Sequence, residues 1–264
     1  MIIPCLCLCR KAYFYVKIRR MRIFIPPEDI AKKERVRLSA DKANYLISVL
    51  RRKKGDRIEV IDGKGKAYEA EIAEIAKKYV FINILKGTPA DIESAINIIL
   101  CQGILKGEKM DLVIQKTTEL GVNAIVPVIT ERCIVKDTKK TKRWQKIAEE
   151  AAEQCGRAVI PEVHEPLEYR NALRVMSDES DCGLNGFIFW EEGGEPLKAV
   201  SVKAAGSPVH LFIGPEGGFA AEEVKLAEGH GLIRTTLGRR ILRAETAAIV
   251  STALVRFLME NSVS

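Results

Sequence analysis

Between residues 96 and 259 the sequence alternates short apolar runs with longer stretches in which apolar residues recur every three or four positions. Parallel strands cannot be joined by a tight turn, and a helix is the usual crossover, so this alternation confines the segment to an α/β architecture. The predicted strands cover 96–101, 124–129, 159–163, 186–190, 209–214 and 232–237. Helical spacing predicts helices over 108–120, 143–155, 169–176, 221–228 and 245–259.

Residues 22–85 follow a different rule. The segments RIFI, RVRL, DRIEVID, KAYEAEIAEI and YVFINIL are short and β-like, with turn chemistry at Asp62-Gly63-Lys64-Gly65. They predict a small barrel or sheet, interrupted by one helix over 41–50 whose Ala43, Leu46, Ile47 and Leu50 share a face. That helix runs into Arg51, Arg52, Lys53 and Lys54, cations that suit a helix C-terminus and are equally candidates for phosphate contacts. The pattern loosens near residues 86–91, dividing the chain into an extension over 1–20, a β-rich domain over 21–88 and an α/β domain over 92–264.

Charge follows the same division. Residues 1–20 carry five Lys/Arg and no acid, residues 21–90 sixteen against ten, and residues 91–264 twenty-one against twenty-five. A basic module ahead of a mildly acidic remainder suggests polyanion capture separated from chemistry; a solvated charged surface is the other reading of the same numbers.

No apolar run reaches the roughly 20 residues that a membrane-crossing helix needs, so a soluble protein is expected. The opening 20 residues place their cations after a very short apolar run, the reverse of a signal peptide, and Met21 is the expected start. Seven cysteines with no Cys-x-x-Cys pair point to reduced thiols in a cytoplasmic protein. Cys5, Cys7 and Cys9 have no nearby His or fourth Cys to complete a tetrahedral shell, and no metal is expected. His164, His210 and His230 fit no metal or triad spacing and are read as structural.

Two loops concentrate the chemistry. Strand VHLFI runs into Gly214-Pro215-Glu216-Gly217-Gly218-Phe219 ahead of a helix, and glycines there let backbone N–H and C=O groups approach a ligand. The spacing is neither a dinucleotide fingerprint nor a phosphate loop, and it allows a tight turn as readily as a pocket. The second loop, Leu237-Gly238-Arg239-Arg240-Ile241-Leu242-Arg243-Ala244-Glu245-Thr246-Ala247, crowds three arginines between a strand and the last helix. Glu245 and Thr246 also suit a plain role in starting that helix.

IGPEGGF followed by LGRRILRAETAA resembles the signature of the SPOUT methyltransferases, and most closely the RsmE family, which makes N3-methyluridine in small-subunit ribosomal RNA. GEKMDLVIQKTTELGV, ERCIVK and RWQKIAEEAAEQCGR agree, and FIP with VLRRKKGDRIEVIDGKG resembles that family's PUA-like RNA-binding domain. The resemblance covers nearly everything from Met21 onward. It implies a deep trefoil knot, which connection rules alone argue against, and a homodimer that completes each site.

It also implies S-adenosylmethionine as cofactor. The cofactor would lie against Leu211, Ile213, Gly214, Pro215, Glu216, Gly217 and Gly218, and against Leu237, Gly238, Ile241 and Leu242, with Thr246 and Ala247 as floor. Arg132, Gln154, Gly156, Arg157 and Arg243 become candidates for the target nucleotide, and Arg22, Arg51, Arg52 and Lys53 for holding the ribosomal RNA or assembled subunit. Methylating N3 requires removal of its proton, so Arg157 or Arg243 is expected to stabilise the anionic ring and Glu119 or Glu245 to accept the proton. A SPOUT enzyme acting on another RNA, such as a tRNA ribose hydroxyl, and a non-catalytic RNA-binding dimer are the alternatives.

Overall fold

The computed structural model describes residues 22–31, 35–76, 79–89, 93–94, 96–178, 183–197 and 208–261. The expectations placed on residues 1–20, Met21 and Cys182 lie outside these.

The N-terminal elements are β1 (Arg22–Phe24), α1 (Pro27–Ala31), β2 (Arg35–Arg37), α2 (Ala40–Asn44), β3 (Arg57–Ile61), β4 (Lys66–Ala76) and β5 (Tyr79–Pro89). They form one sheet in the order β1-β3-β4-β5-β2, with β1 parallel to β3 and the remaining pairs antiparallel. Because side chains alternate across a strand, Ile58 and Val60, Ala70 and Ile72, and Val80 and Ile82 all face one side. There they meet Ile23, Val36, Ala43 and Leu46. The β3–β4 turn forms where Gly63 and Gly65 take positive φ and Asp62 Oδ1 accepts from the N–H groups of Lys64 and Lys66 at 2.8 and 3.0 Å.

The helix predicted over 41–50 divides into α2 and a wider turn over Tyr45–Val49, where the N–H of Leu50 donates to the carbonyl of Tyr45. It stops at Arg51, whose φ of 52° lies in the left-handed region.

The second sheet comprises β6 (Ile98–Gly103), β7 (Ala124–Ile129), β8 (Glu162–Val163), β9 (Leu167–Glu168), β10 (Gly186–Phe189), β11 (Glu195–Pro196), β12 (Val209–Ile213) and β13 (Ile233–Thr236). The order is β11-β13-β10-β12-β6-β7-β8, with β9 also on β7, and every pair is parallel. Its helices are α3 (Lys109–Glu119), α4 (Thr141–Cys155), α5 (Tyr169–Asp178), α6 (Ala221–Gly229) and α7 (Ala244–Glu260).

Both faces of this sheet are covered, which is why VHLFI reads as a continuous apolar run. Val209, Leu211 and Ile213 of β12 face Met110 and Val113 of α3, Trp144 of α4 and Ala248 of α7. Phe212 faces the opposite side, with Leu173 of α5 and Val224 of α6. Among the described residues no helix is long and apolar enough to cross a membrane, and no cluster of three His, Cys, Asp or Glu could hold a metal.

The two sheets meet along the C-terminal end of α4. Glu153 Oε1 accepts from the N–H of Phe24 at 2.7 Å and lies 3.4 Å from Lys42 Nζ. The N–H of Gly65 donates to the carbonyl of Ala158, and that of Ile160 to the carbonyl of Gly63.

Candidate functional site

In a parallel sheet all strands end on one edge, so the loops that follow them gather there. Phe189, at the end of β10, pairs in register with Ile213 of β12 on one side and Thr235 of β13 on the other. The three strand ends are therefore level, and the chain leaving each contributes one wall of a cavity of about 270 Å³.

The first wall is Gly214–Gly218. The N–H of Gly218 donates to the carbonyl of Pro215 at 3.0 Å, closing a turn in which Gly218 takes φ 68°. Close packing behind the turn explains its composition. A Cβ on Gly103, at the end of β6, would lie 2.6 Å from the backbone nitrogen of Pro215, and one on Gly214 would lie 3.0 Å from the carbonyl carbon of Gly218. Buried Gln102 donates from Nε2 to the carbonyl of Gly214 at 3.2 Å.

Glu216 fastens this wall to the start of α3. Its Oε1 accepts from the N–H of Lys106 and from Lys109 Nζ, both at 3.1 Å. Burial pushes the Glu216 carboxyl up, but hydrogen bonds from its own and Lys106's N–H groups and from Lys109, with the ammonium charge, outweigh it and hold it below the usual range. A second tether runs through Glu223 of α6, whose carboxylate accepts from the N–H of Ala220 at 2.9 Å and of Glu131 at 2.8 Å. This brings Arg132 to the turn, where its Nη1 donates to the carbonyl of Gly217 at 3.1 Å.

The second wall is Leu237 to Ala247. Arg240 and Arg243 line the cavity, as does Glu245 in the first turn of α7. Buried polar atoms without a hydrogen-bond partner cluster here: Trp190 Nε1, Glu216 Oε2 and Glu245 Oε2 among lining residues, and Gln102 Oε1 behind them. Since buried polar groups are ordinarily satisfied, several orphans around one cavity point to a polar ligand.

Of the residues expected at the cofactor, Ile213, Gly214, Pro215, Glu216, Gly218, Leu237, Gly238, Ile241, Leu242 and Ala247 line the cavity. Leu211, Gly217 and Thr246 do not: Leu211 is fully buried within β12, and a Cβ on Gly217 would face Arg132 Cβ at 3.0 Å.

Arg243 is thus the expected ring-stabilising arginine that reaches the cavity. Arg157 is elsewhere: it is only 5% exposed, forms an ion pair with Glu93 at 2.9 Å, and donates to the carbonyls of Thr118 and Val122 at 3.0 and 2.7 Å. Glu119 is bound to Lys116 at 2.8 Å near the end of α3 and does not line the cavity. Arg22 forms an ion pair with Glu59 at 2.9 Å and stands beside Gly156 at the seam, while Gln154 is exposed nearby. Arg51 and Lys53 are exposed in a turn held by Asp56, which accepts from the N–H of Lys53 at 2.9 Å and lies 4.0 Å from Arg52.

Sequence reasoning missed the third wall. Phe189, Trp190 and Glu191 line the cavity beside Lys109 and Thr236. The signal was present in GFIFW as a strand, but its adjacency to β12 and β13 depends on strand order, which periodicity does not encode.

The chain is similar to known proteins over most of its length. A model of an RNA methyltransferase domain matches residues 92–256, and a model of an RNA methyltransferase PUA domain matches residues 38–85. The ribosomal RNA small subunit methyltransferase E of Bacillus subtilis (strain 168) is 31% identical over 255 residues, covering 92% of this chain and 98% of that protein. That of Synechocystis is 32% identical over 243 residues, covering 91% and 78%. Among solved structures, a ribosomal RNA small subunit methyltransferase E from Neisseria gonorrhoeae bound to S-adenosylmethionine is 36% identical with a TM-score of 0.80, covering 90% of this chain and 97% of that one.

Proposed function

We propose, from the premise that this chain belongs to the RsmE family of small-subunit ribosomal RNA methyltransferases, that it methylates N3 of a uridine in that RNA using S-adenosylmethionine. The observation that supports this most is the cavity itself, where a glycine-rich loop and an arginine-bearing loop converge on level strand ends around orphaned polar atoms.

The cavity suits the cofactor chemically. Gly214, Gly218 and Gly238 bring backbone to the cavity with no side chain in the way, while Trp190, Glu216 and Glu245 hold unpartnered polar atoms. When bound, S-adenosylmethionine supplies both the methyl group and its leaving group. The remaining work is to orient the uracil ring, exclude water and manage one proton. Arg240 and Arg243 present cations where negative charge would gather on the deprotonated ring, and Glu245 takes the N3 proton in this reading.

The same reading includes a domain division at 21–88 and 92–264, supported by two separate sheets and cores. It includes the trefoil knot, supported by β10 sitting between β12 and β13 although it precedes both. A homodimer is supported by exposed Ile241, 81% accessible, with Leu254 and Phe257 of α7 and Leu112 of α3. The expected location is the cytoplasm, where ribosomal RNA is available.

Calorimetry with S-adenosylmethionine, followed by methyl transfer to unmethylated small subunits, tests the reading. Binding and transfer are expected; a chain that binds RNA but neither the cofactor nor its methyl group would be the non-catalytic dimer instead.

A further inference from the structure

We propose that the segment from Arg132 to Lys142 is the surface that holds the phosphate backbone of the RNA substrate beside the cavity. The inference rests on RNA being the substrate. Lys136, Lys139, Lys140 and Lys142 are all exposed, and none makes an ion pair among the described residues. The neighbouring Arg143 and Lys146 are occupied by Asp111 at 2.6 Å and Asp41 at 3.9 Å. One acid, Asp137, lies within the run.

Two of these lysines stand where the fold disfavours them. Lys140 is the N-cap of α4 and Lys142 lies in its first turn, which contains no acidic residue. A helix N-terminus already has a positive end, so cations there are repelled by the backbone and by one another. A carboxylate does stand at this end of the helix, Glu165, whose Oε2 accepts from Thr141 Oγ1 at 2.9 Å, but it forms an ion pair with none of the four lysines, which leaves their charge for a polyanion to meet.

The run is also connected to the cavity. At its start Arg132 donates to the carbonyl of Gly217, and the preceding N–H of Glu131 donates to Glu223 of α6. A backbone lying along the lysines would bring an adjacent nucleotide to the cavity mouth. Two outward cations of the small sheet are differently placed: Arg35 meets Glu74, and Arg57 lies 3.9 Å from Glu69. The grip expected of the basic N-terminal part therefore extends onto the α/β domain, against that domain's acidic balance.

The test is the full chain carrying Lys139→Gln, Lys140→Gln and Lys142→Gln, titrated with a small-subunit ribosomal RNA transcript across a salt series. Each phosphate contact contributes roughly 0.7 to 0.9 to the slope of log affinity against log salt, so the slope should flatten by about 2 and low-salt affinity should fall at least about tenfold. Affinity for S-adenosylmethionine should not change, and Tm should change little, since none of the three lysines makes an ion pair among the described residues. An unchanged slope and affinity would overturn the proposal, as would a fall in Tm that accounts for all the lost binding. Wild-type protein that binds RNA through these lysines but transfers no methyl group would overturn the methyltransferase reading and leave this one standing.

Discussion

The carboxylate of Glu191 lies against the backbone of Gly218, so that a Cβ on that glycine would fall 1.9 Å from Oε1. The two residues belong to different walls, one following β10 and the other following β12. Gly218→Ala should displace Glu191 into the cavity and, at φ 68°, add roughly 1 kcal/mol of backbone strain. Calorimetry should show weakened S-adenosylmethionine binding that Glu191→Ala partly restores in the double variant; equal losses in both would mean that strain alone acts.

Gly103→Ala is expected to be more damaging. Its Cβ would meet the backbone of Pro215 and Gly214, which cannot swing aside as a glutamate can. Overpacking of this kind costs roughly 1–3 kcal/mol, and the Gly214–Gly218 turn should move with it. Thermal unfolding and cofactor calorimetry should both report the loss.

Much of this was legible in advance. The strand over Ala124–Ile129 matches its predicted limits, and the predicted last helix differs from α7 by one residue at each end, because long periodic patterns declare themselves locally. The two loops declared themselves through glycine and arginine. What was hidden depends on contacts far apart in sequence. Arg157 looked like a nucleotide contact, yet its partner Glu93 lies 64 residues away and turns it into a buried anchor. Glu191 carries no local signal, and its place at the cavity follows only from the strand order that sets β10 between β12 and β13.

That burial gives Arg157→Ala a definite signature. Removing one partner strands Glu93 and two carbonyls, at a cost of roughly 3–5 kcal/mol. Denaturant unfolding should shift accordingly, while the protein that remains folded keeps its kcat. A stable variant with kcat abolished would return Arg157 to a catalytic role.

Glu216 predicts a pH dependence. Its folded carboxyl is held below the usual range, so the link to Lys106 and Lys109 is present at neutral pH. It is lost as pH falls through that lowered value. Cofactor affinity should weaken on acidification in the wild type, whereas Glu216→Gln should be weaker at neutral pH and lack that acid dependence.

We propose that this cavity directs a methyl group to N3 of a uridine in small-subunit ribosomal RNA. The direct measurement incubates unmethylated small subunits with the protein and methyl-labelled S-adenosylmethionine, then digests the RNA to nucleosides. The predicted result is label in N3-methyluridine, with Arg243→Ala reducing the rate roughly 10²-fold or more. Label in a ribose-methylated nucleoside, or no label from a chain that binds the cofactor, would contradict it.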